Sequence, residues 1–289
     1  MNNVFLNGEF LPVEAARVPV LDRGFLFGDG VYEVIPAYTG HLFRLTEHLD
    51  RLNHSLHAIR MEPPLSHGQW ERILGQLIAQ YPESDLNVYL QVTRGADTKR
   101  DHAIPAGIAP TLFAMATPVQ PRNPDNYRGG VEAITLDDIR WGLCNIKAIT
   151  LLANVLLKQQ AVDANALEAI LIRDGLAYEG AASNLLMVRD GIIVTPPKGP
   201  HLLPGITRDL ILELAAEAGL PYRETDIPAE ELNQAEEIWL SSSNREIMPV
   251  TLLNGKQVGD GKPGPHWQRI TALYQARKDR FRGQLPGLG

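Results

Sequence analysis

The chain has 289 residues, of which 44% are hydrophobic and 21% charged, enough to bury a large core and to form two modest domains. Its formal net charge of -7 offers no basic footprint for nucleic acid. The lone cysteine, Cys144, excludes an internal disulfide and fits a reducing compartment, and free cysteines are mostly buried and inert. The opening Met-Asn-Asn-Val-Phe-Leu-Asn-Gly lacks the basic and apolar regions of a signal peptide. No apolar run is long enough to cross a bilayer, so a cytoplasmic location without a membrane partner is expected. The basic run Arg277, Lys278, Arg280 and Arg282 reads as the solvated end of a last helix.

In chain order, Val4 to Leu6 and Glu9 to Leu11 flank Asn7-Gly8, a dipeptide that accepts the positive φ angles of a tight hairpin. Leu45, Leu49, Leu52 and Leu56 recur on one face of a helix over 45–59. A second helix is expected over 68–80, then strands at Leu86 to Thr93 and Thr111 to Ala116. Pro118, Pro121, Pro124, Gly129 and Gly130 mark an interdomain linker over 119–130, because proline blocks both helix and central strand. The domains are therefore 1–118 and 131–289. The second half mixes a helix over 149–164 with strands at Glu168 to Ile172, Leu185 to Val188 and Ile192 to Thr195, the last two bracketing Asp190-Gly191. A helix follows Gly205 and runs to about Ala218. Strands are expected at Glu237 to Leu240 and Val250 to Leu253, the latter pairing across Asn254-Gly255, before a last helix over 267–281. The coarse answer is α+β in two domains.

No dinucleotide, Walker-type, nucleophile-elbow or zinc-helix motif is present. His54 and His57 lie three apart on a helix with no further ligand at metal spacing and read as surface residues, so no metal is expected. Three segments could hold a phosphate. Leu203-Pro204-Gly205-Ile206-Thr207-Arg208 opens a helix, whose N-terminus attracts anions, though Thr207 also fits a plain N-cap. Ser241-Ser242-Ser243-Asn244 follows a strand and could cup an anion or simply turn. His48 and Arg51 border the leucine stripe, where a side chain is half buried or merely flanks the helix. Lys147 sits in the mostly apolar Trp141 to Leu152, where a lysine snorkels, pairs or is covalently bound and uncharged. Glu179 follows a strand in a small-residue loop, Gly180-Ala181-Ala182-Ser183, that would let backbone approach a flat ligand or simply turn.

Taken in order, these segments resemble the fold-type IV pyridoxal-phosphate enzymes: D-amino-acid aminotransferases, branched-chain aminotransferases and aminodeoxychorismate lyases. The matching stretches are Arg23 to Glu33, His48 to Leu52, Asp138 to Trp141 with Asn145 to Lys147, Glu179-Gly180 with Ser183-Asn184, Leu203 to Arg208, and Ser241 to Pro249. The resemblance implies a smaller N-terminal α/β domain, a larger C-terminal domain with a strand-rich, barrel-like core, and a homodimer with shared active sites. It implies that Lys147 binds pyridoxal 5'-phosphate covalently and moves the substrate proton. Glu179 would pair with the ring nitrogen, and Arg51, Ile206, Thr207, Ser242 and Ser243 would hold the phosphate. Glu33 and His48 would orient Arg51 and Tyr32.

Within that family, Arg100 and His102 resemble the carboxylate trap of the bacterial D-amino-acid enzymes, which reaches across the dimer and acts with Tyr32. A guanidinium matches a carboxylate bidentately. Alone, Lys99 to His102 would read as a solvated charged loop. The expected function is therefore transfer of an amino group from a D-alanine-like donor to 2-oxoglutarate or pyruvate by a ping-pong cycle. A branched-chain L-aminotransferase or an aminodeoxychorismate lyase of the same fold is the alternative. Asn244-Arg245 places a bulky cation beside the phosphate and substrate loop.

Overall fold

The computed structural model describes residues 3–82, 85–119 and 127–283. The chain divides into two compact units, Met1–Pro121 with Ile146–Leu151, and Arg122–Asn145 with Leu152–Gly289. Of the linker expected at 119–130, residues 120–126 lie outside the described residues.

The first unit is built on strands β1 (Asn3–Leu6), β2 (Glu9–Pro12), β3 (Gly30–Tyr38), β4 (His41–Leu42), β5 (Leu86–Thr93) and β6 (Thr111–Pro118). They form one antiparallel sheet in the order β2-β1-β6-β5-β3-β4. Asn7 and Gly8 make the β1–β2 turn with φ of 49° and 100°, as their side chains permit. A one-turn helix α1 (Arg23–Phe27) is capped by the Asp22 carboxylate, which accepts from Gly24 N–H. Two longer helices, α2 (Leu45–Ala58) and α3 (His67–Ile78), cover the sheet. The leucine stripe Leu49, Leu52 and Leu56 meets Trp70, Leu74 and Leu77 of α3 and the inward residues Leu86, Val88, Leu90 and Val92 of β5 in one core. The period-2 burial of β5 and the helical spacing of α2 thus address the same apolar layer.

Residues 146–151 run beside β3, joined to it by a single antiparallel bridge between Val31 and Ala148. Tyr32 N–H donates to Lys147 O, and Ile149 N–H donates to Gly30 O. The helix expected from Ile149 therefore starts later, as α4 (Leu152–Asp163), because Ile149 N–H is spent on β3 and Leu151 N–H on the Ile149 carbonyl.

The second unit contains α4, β7 (Val131–Asp137), β8 (Glu168–Arg173), β9 (Leu176–Gly180), β10 (Asn184–Arg189), β11 (Ile192–Thr195), α5 (Ile206–Glu217), β12 (Tyr222–Glu224), β13 (Ile227–Pro228), β14 (Glu237–Ser242), β15 (Glu246–Leu253), β16 (Lys256–Gln257) and α6 (Pro265–Gly283). Pairing runs β10-β14-β15-β7-β8-β9, and β9 returns to β10 through Glu179 and Asn184. The ring closes, which removes both edges from these six strands. This is the expected barrel-like core, filled by Ile170, Leu185, Met187, Ile238, Leu240, Met248 and Val250. Strand β7 was not expected. It pairs in parallel with β8 and β15, so no hairpin turn announces it. Glu179 lies within β9 rather than in a loop after it.

The basic run at the chain end is also corrected. Lys278 on α6 is buried, and its Nζ lies 2.5 Å from Glu246 Oε1, whose other oxygen accepts from Gln275 Nε2 at 2.7 Å. Arg277 pairs with Glu217. Removing one member of a buried pair strands the other charge. Lys278→Ala is therefore expected to cost about 3–5 kcal/mol in denaturant unfolding, against roughly 0.5 kcal/mol or less for the exposed Lys256→Ala.

Candidate active site

In the first unit, β3 sends Tyr32 and Glu33 to opposite faces, as consecutive strand residues must go. Glu33 is fully buried and meets α2, whose His48 and Arg51 stand one turn apart. Arg51 donates from Nε to Glu33 Oε1 and from Nη2 to Oε2, each at 2.8 Å, and His48 Nδ1 lies 2.7 Å from Oε2. Burial works to raise the Glu33 carboxyl. The Arg51 charge and hydrogen bonds, with His48, outweigh it and hold Glu33 well below the ordinary carboxylate range. Burial lowers His48, helped by the Arg51 and Lys147 charges against the pull of Glu33. A neutral imidazole then donates its Nδ1–H to the carboxylate. His48 and Arg51 are buried, not half-exposed flanks of the helix.

Lys147 is held at its backbone. Its N–H donates to Ser55 Oγ on α2 at 3.2 Å, and its carbonyl takes the Tyr32 N–H at 3.0 Å. Its Nζ stands 4.3 Å from the centroid of the Tyr32 ring, which stacks on Tyr89 at 5.7 Å. Among the described residues no carboxylate pairs with this amine. An aromatic face is a weak partner for a cation, so Tyr32 places the amine without binding it tightly.

Arg100 and His102 are both exposed, and both lie against Phe27. The Arg100 Cζ is 4.9 Å from that ring centroid, and the His102 ring is 5.1 Å away. Their loop is tied down from beneath. Arg23 donates to the carbonyls of Asp101 and His102, and Arg23 and Arg94 both bind Asp29 at 2.8 Å. Arg23, Asp29 and Arg94 were given no role from sequence. The two outer members of Arg23 to Asp29, a charged pair around five mostly apolar residues, were the available signal.

In the second unit, Glu179 on β9 is fully buried. Its Oε1 accepts from Arg140 Nη1 at 2.5 Å. Its Oε2 accepts from Asn184 Nδ2 and Leu203 N–H, each at 3.1 Å. Arg140 is itself forked onto both oxygens of Asp138, at 2.9 and 3.0 Å, so its charge is shared between two carboxylates. Burial therefore prevails over Arg140 and pushes Glu179 up to about 7. Arg140 and Asn184 were not singled out, although Asp138-x-Arg140 is a ready ion-pair spacing. Cys144 is buried, and burial pushes its thiol up, which leaves it a poor nucleophile.

Helix α5 starts at Ile206 with Gly205 as N-cap and no side-chain cap, so Thr207 is not the cap. Its first-turn N–H groups lack intrahelical partners, and Ile206 and Thr207 are buried there. A Cβ at Gly205 would fall 1.8 Å from Asn184 Oδ1; only glycine lets the helix start against that amide. Arg208 anchors the turn through Pro196 O and Glu224. Ser241 and Ser242 end β14 and Ser243 begins the turn after it. Ser241 Oγ is buried without a hydrogen-bond partner, and Ser242 Oγ accepts from Arg245 N–H at 3.2 Å.

Among the described residues no cluster of His, Cys, Asp and Glu could hold a metal ion, and no helix is long and apolar enough to cross a membrane. Residues 30–253 match the class IV amino-transferase family. The chain is 41% identical to a D-alanine aminotransferase of Bacillus licheniformis over 272 residues, 94% of this chain and 95% of the relative. It is 39% identical to that of Staphylococcus haemolyticus, covering 92% and 94%. Among solved structures it is similar to the branched-chain amino acid aminotransferase of Escherichia coli, with a TM-score of 0.89, 29% identity and coverage of 95% and 94%. The T.th. branched-chain enzyme, solved with pyridoxamine 5'-phosphate, gives 0.86 at 26% identity, covering 95% and 93%. By that family match over residues 30–253 and by relatives at about 40% identity over more than nine-tenths of its length, this chain belongs to the class IV aminotransferases.

Proposed function

We propose that the chain is a pyridoxal-phosphate-dependent aminotransferase that moves an amino group from a D-alanine-like donor to 2-oxoglutarate or pyruvate in a ping-pong cycle. Relatives named D-alanine aminotransferase stand at about 40% identity over more than nine-tenths of the chain, against 29% for the branched-chain enzyme of Escherichia coli. The observation that carries the reading is Glu179. A fully buried carboxylate pushed up to about 7 is poised to be satisfied by a cation, and a protonated pyridine nitrogen is one.

The residues present fit the cofactor. When bound, pyridoxal phosphate supplies an electron sink for charge released at the substrate Cα. Lys147 offers the amine that holds it and the base that moves the Cα proton. Glu179, steadied by Arg140 and Asn184, keeps the ring nitrogen protonated. The uncapped first turn of α5 at Ile206 and Thr207, with Arg51, Ser242 and Ser243, suits a phosphate through N–H groups, hydroxyls and a guanidinium. Glu33 and His48 fix Arg51, and Glu33 is the strand neighbour of Tyr32.

Arg100 and His102 would take the substrate α-carboxylate with Tyr32, and their exposure suits action on a second copy of the chain. That copy has apolar surface to meet: Leu152, Val155, Leu156 and Val162 on α4 are 72%, 60%, 50% and 52% exposed, more than an isolated surface tolerates comfortably. A homodimer in the cytoplasm, where one unpaired cysteine stays reduced, completes the reading.

Purified protein should carry a visible cofactor band that D-alanine bleaches and that L-alanine and L-leucine leave; bleaching by the L-substrates alone would overturn the stereochemistry. Lys147→Ala should lose at least about 10²–10⁴-fold in turnover, and full retention would sink the assignment. Arg100→Ala should raise KM for D-alanine about tenfold or more with cofactor retained, since a charge-assisted hydrogen bond contributes about 1.5–3 kcal/mol. In cofactor-free protein, a carboxyl absent from Glu179→Gln should titrate near 7. Because this folded-state value is raised, its contribution to stability is complete below the ordinary 4.5 and is lost as pH climbs through 7. Cofactor should move the titration out of that range, and an unmoved titration would remove Glu179 as the ring partner.

A further inference from the structure

A buried ion pair lies next to the serine turn, and the proposed chemistry does not use it. Strand β14 ends at Ser242 and β15 begins at Glu246, its partner in register, so Ser243, Asn244 and Arg245 form a three-residue connection. Glu246 stands in the left-handed region with φ of 57°. A residue with a Cβ takes that conformation at a cost, and it persists where the surroundings over-determine it. Glycine would take it freely, so the glutamate is there for what its carboxylate binds.

That carboxylate is gripped from α6. Lys278 Nζ, itself buried, donates to Glu246 Oε1 at 2.5 Å, and Gln275 Nε2 donates to Oε2 at 2.7 Å. Three residues apart on the helix, the two donors share a face. Trp267 of the same helix ties its indole N–H to the Ile247 carbonyl at 3.1 Å, so the first two residues of β15 are both bound to α6. Arg277, beside Lys278, takes both oxygens of Glu217 at 2.7 and 2.8 Å, and Glu217 is the last residue of α5. One helix thus holds the strand that leaves the serine turn and the helix whose uncapped first turn opens at Ile206.

The turn so fixed is prepared to donate. Arg245 N–H gives its hydrogen bond to Ser242 Oγ at 3.2 Å. A hydroxyl has one proton and two lone pairs, so Ser242 can accept from the backbone and still give its own proton to an anion. We propose that Lys278 and Gln275 are positioning residues for the phosphate group: through Glu246 they hold the turn in the shape from which Ser242 and Ser243 donate to it. This rests on the cofactor reading given above and adds to it residues that act on the phosphate only through Glu246.

The test compares the dissociation constants of the full-length protein for pyridoxal phosphate and for pyridoxal, which lacks the phosphate. Lys278→Met alone leaves Glu246 uncompensated and destabilises the fold. Lys278→Met combined with Glu246→Gln strands no charge, and Gln275→Leu keeps both charges in place. The preference for the phosphorylated form should fall at least about tenfold in the double variant and about threefold in Gln275→Leu, with affinity for pyridoxal itself unchanged. The phosphorus NMR resonance of bound pyridoxal phosphate should move towards that of the free compound in both. An unchanged preference in either variant would overturn the proposal, and so would equal weakening of both ligands, which reports general loosening rather than placement of the phosphate. Wild type separates this from the reading beneath it. If it binds pyridoxal phosphate no more tightly than pyridoxal, the serine turn holds no phosphate and the cofactor reading falls together with the positioning role. A wild-type preference that both variants keep removes the positioning role alone.

Discussion

The second unit depends on how its barrel closes. Five of the six joints are runs of strand pairing, but the sixth, between β9 and β10, is made at Glu179 and Asn184. At that joint the two side chains bond each other as well, Asn184 Nδ2 to Glu179 Oε2. The same Asn184 amide also donates to Leu203 O, and its oxygen fills the space a Cβ at Gly205 would need. One pair of residues thus fixes the last seam of the barrel, the buried carboxylate and the entry into α5. A ring without edges cannot slip in register, so the carboxylate and the helix terminus are held by the whole barrel rather than by a loop.

Glu33 and Glu179 show what the surroundings of a buried carboxylate decide. Both are fully buried, and both face an arginine. Glu33 takes Arg51 bidentately with a neutral histidine beside it, so the charge is matched and the ionised form is secured. Glu179 receives one nitrogen of an arginine whose other donors go to Asp138 and the His201 carbonyl. There desolvation outweighs the partial pairing. The first carboxylate is therefore structural, a rigid backing for Arg51. The second retains an appetite for positive charge, which suits the role proposed for it opposite a cationic ring.

Much of this was legible because it follows local periodicity. The leucine stripe of α2, the alternation in β5 and the Asn7-Gly8 turn each announce themselves within a few residues, and the apolar layer they share follows. The parallel strand β7 carries no such signal, since its partners β8 and β15 are distant in sequence. Nor could the run 147–151 be told from a helix, because its donors go to distant partners, Lys147 N–H to Ser55 and Ile149 N–H to Gly30, that local spacing does not announce. Charge partners were the least legible. Lys278 looks like a tail residue until Glu246 is seen against it, and Arg140 has no evident task until Glu179 lies across from it. Lys147 and Glu179 were picked out by their unusual neighbours and by resemblance, whereas Arg23, Asp29 and Arg94 serve only to hold others in place.

That last group bears on the role proposed for Arg100 and His102, which are both exposed. A surface loop with long charged side chains ordinarily gives up much rotamer freedom on binding. Here Arg23 grips the loop through the Asp101 and His102 carbonyls and is itself braced, with Arg94, on Asp29. Burial alone would raise the Asp29 carboxyl, but the two guanidiniums keep it below its ordinary value, so the brace stays charged at neutral pH. Phe27 then presents one apolar face against which both Arg100 and His102 rest. The ordering cost is met inside the first unit before any carboxylate arrives. Orientation is therefore set by buried charges several residues away from the groups that would touch substrate.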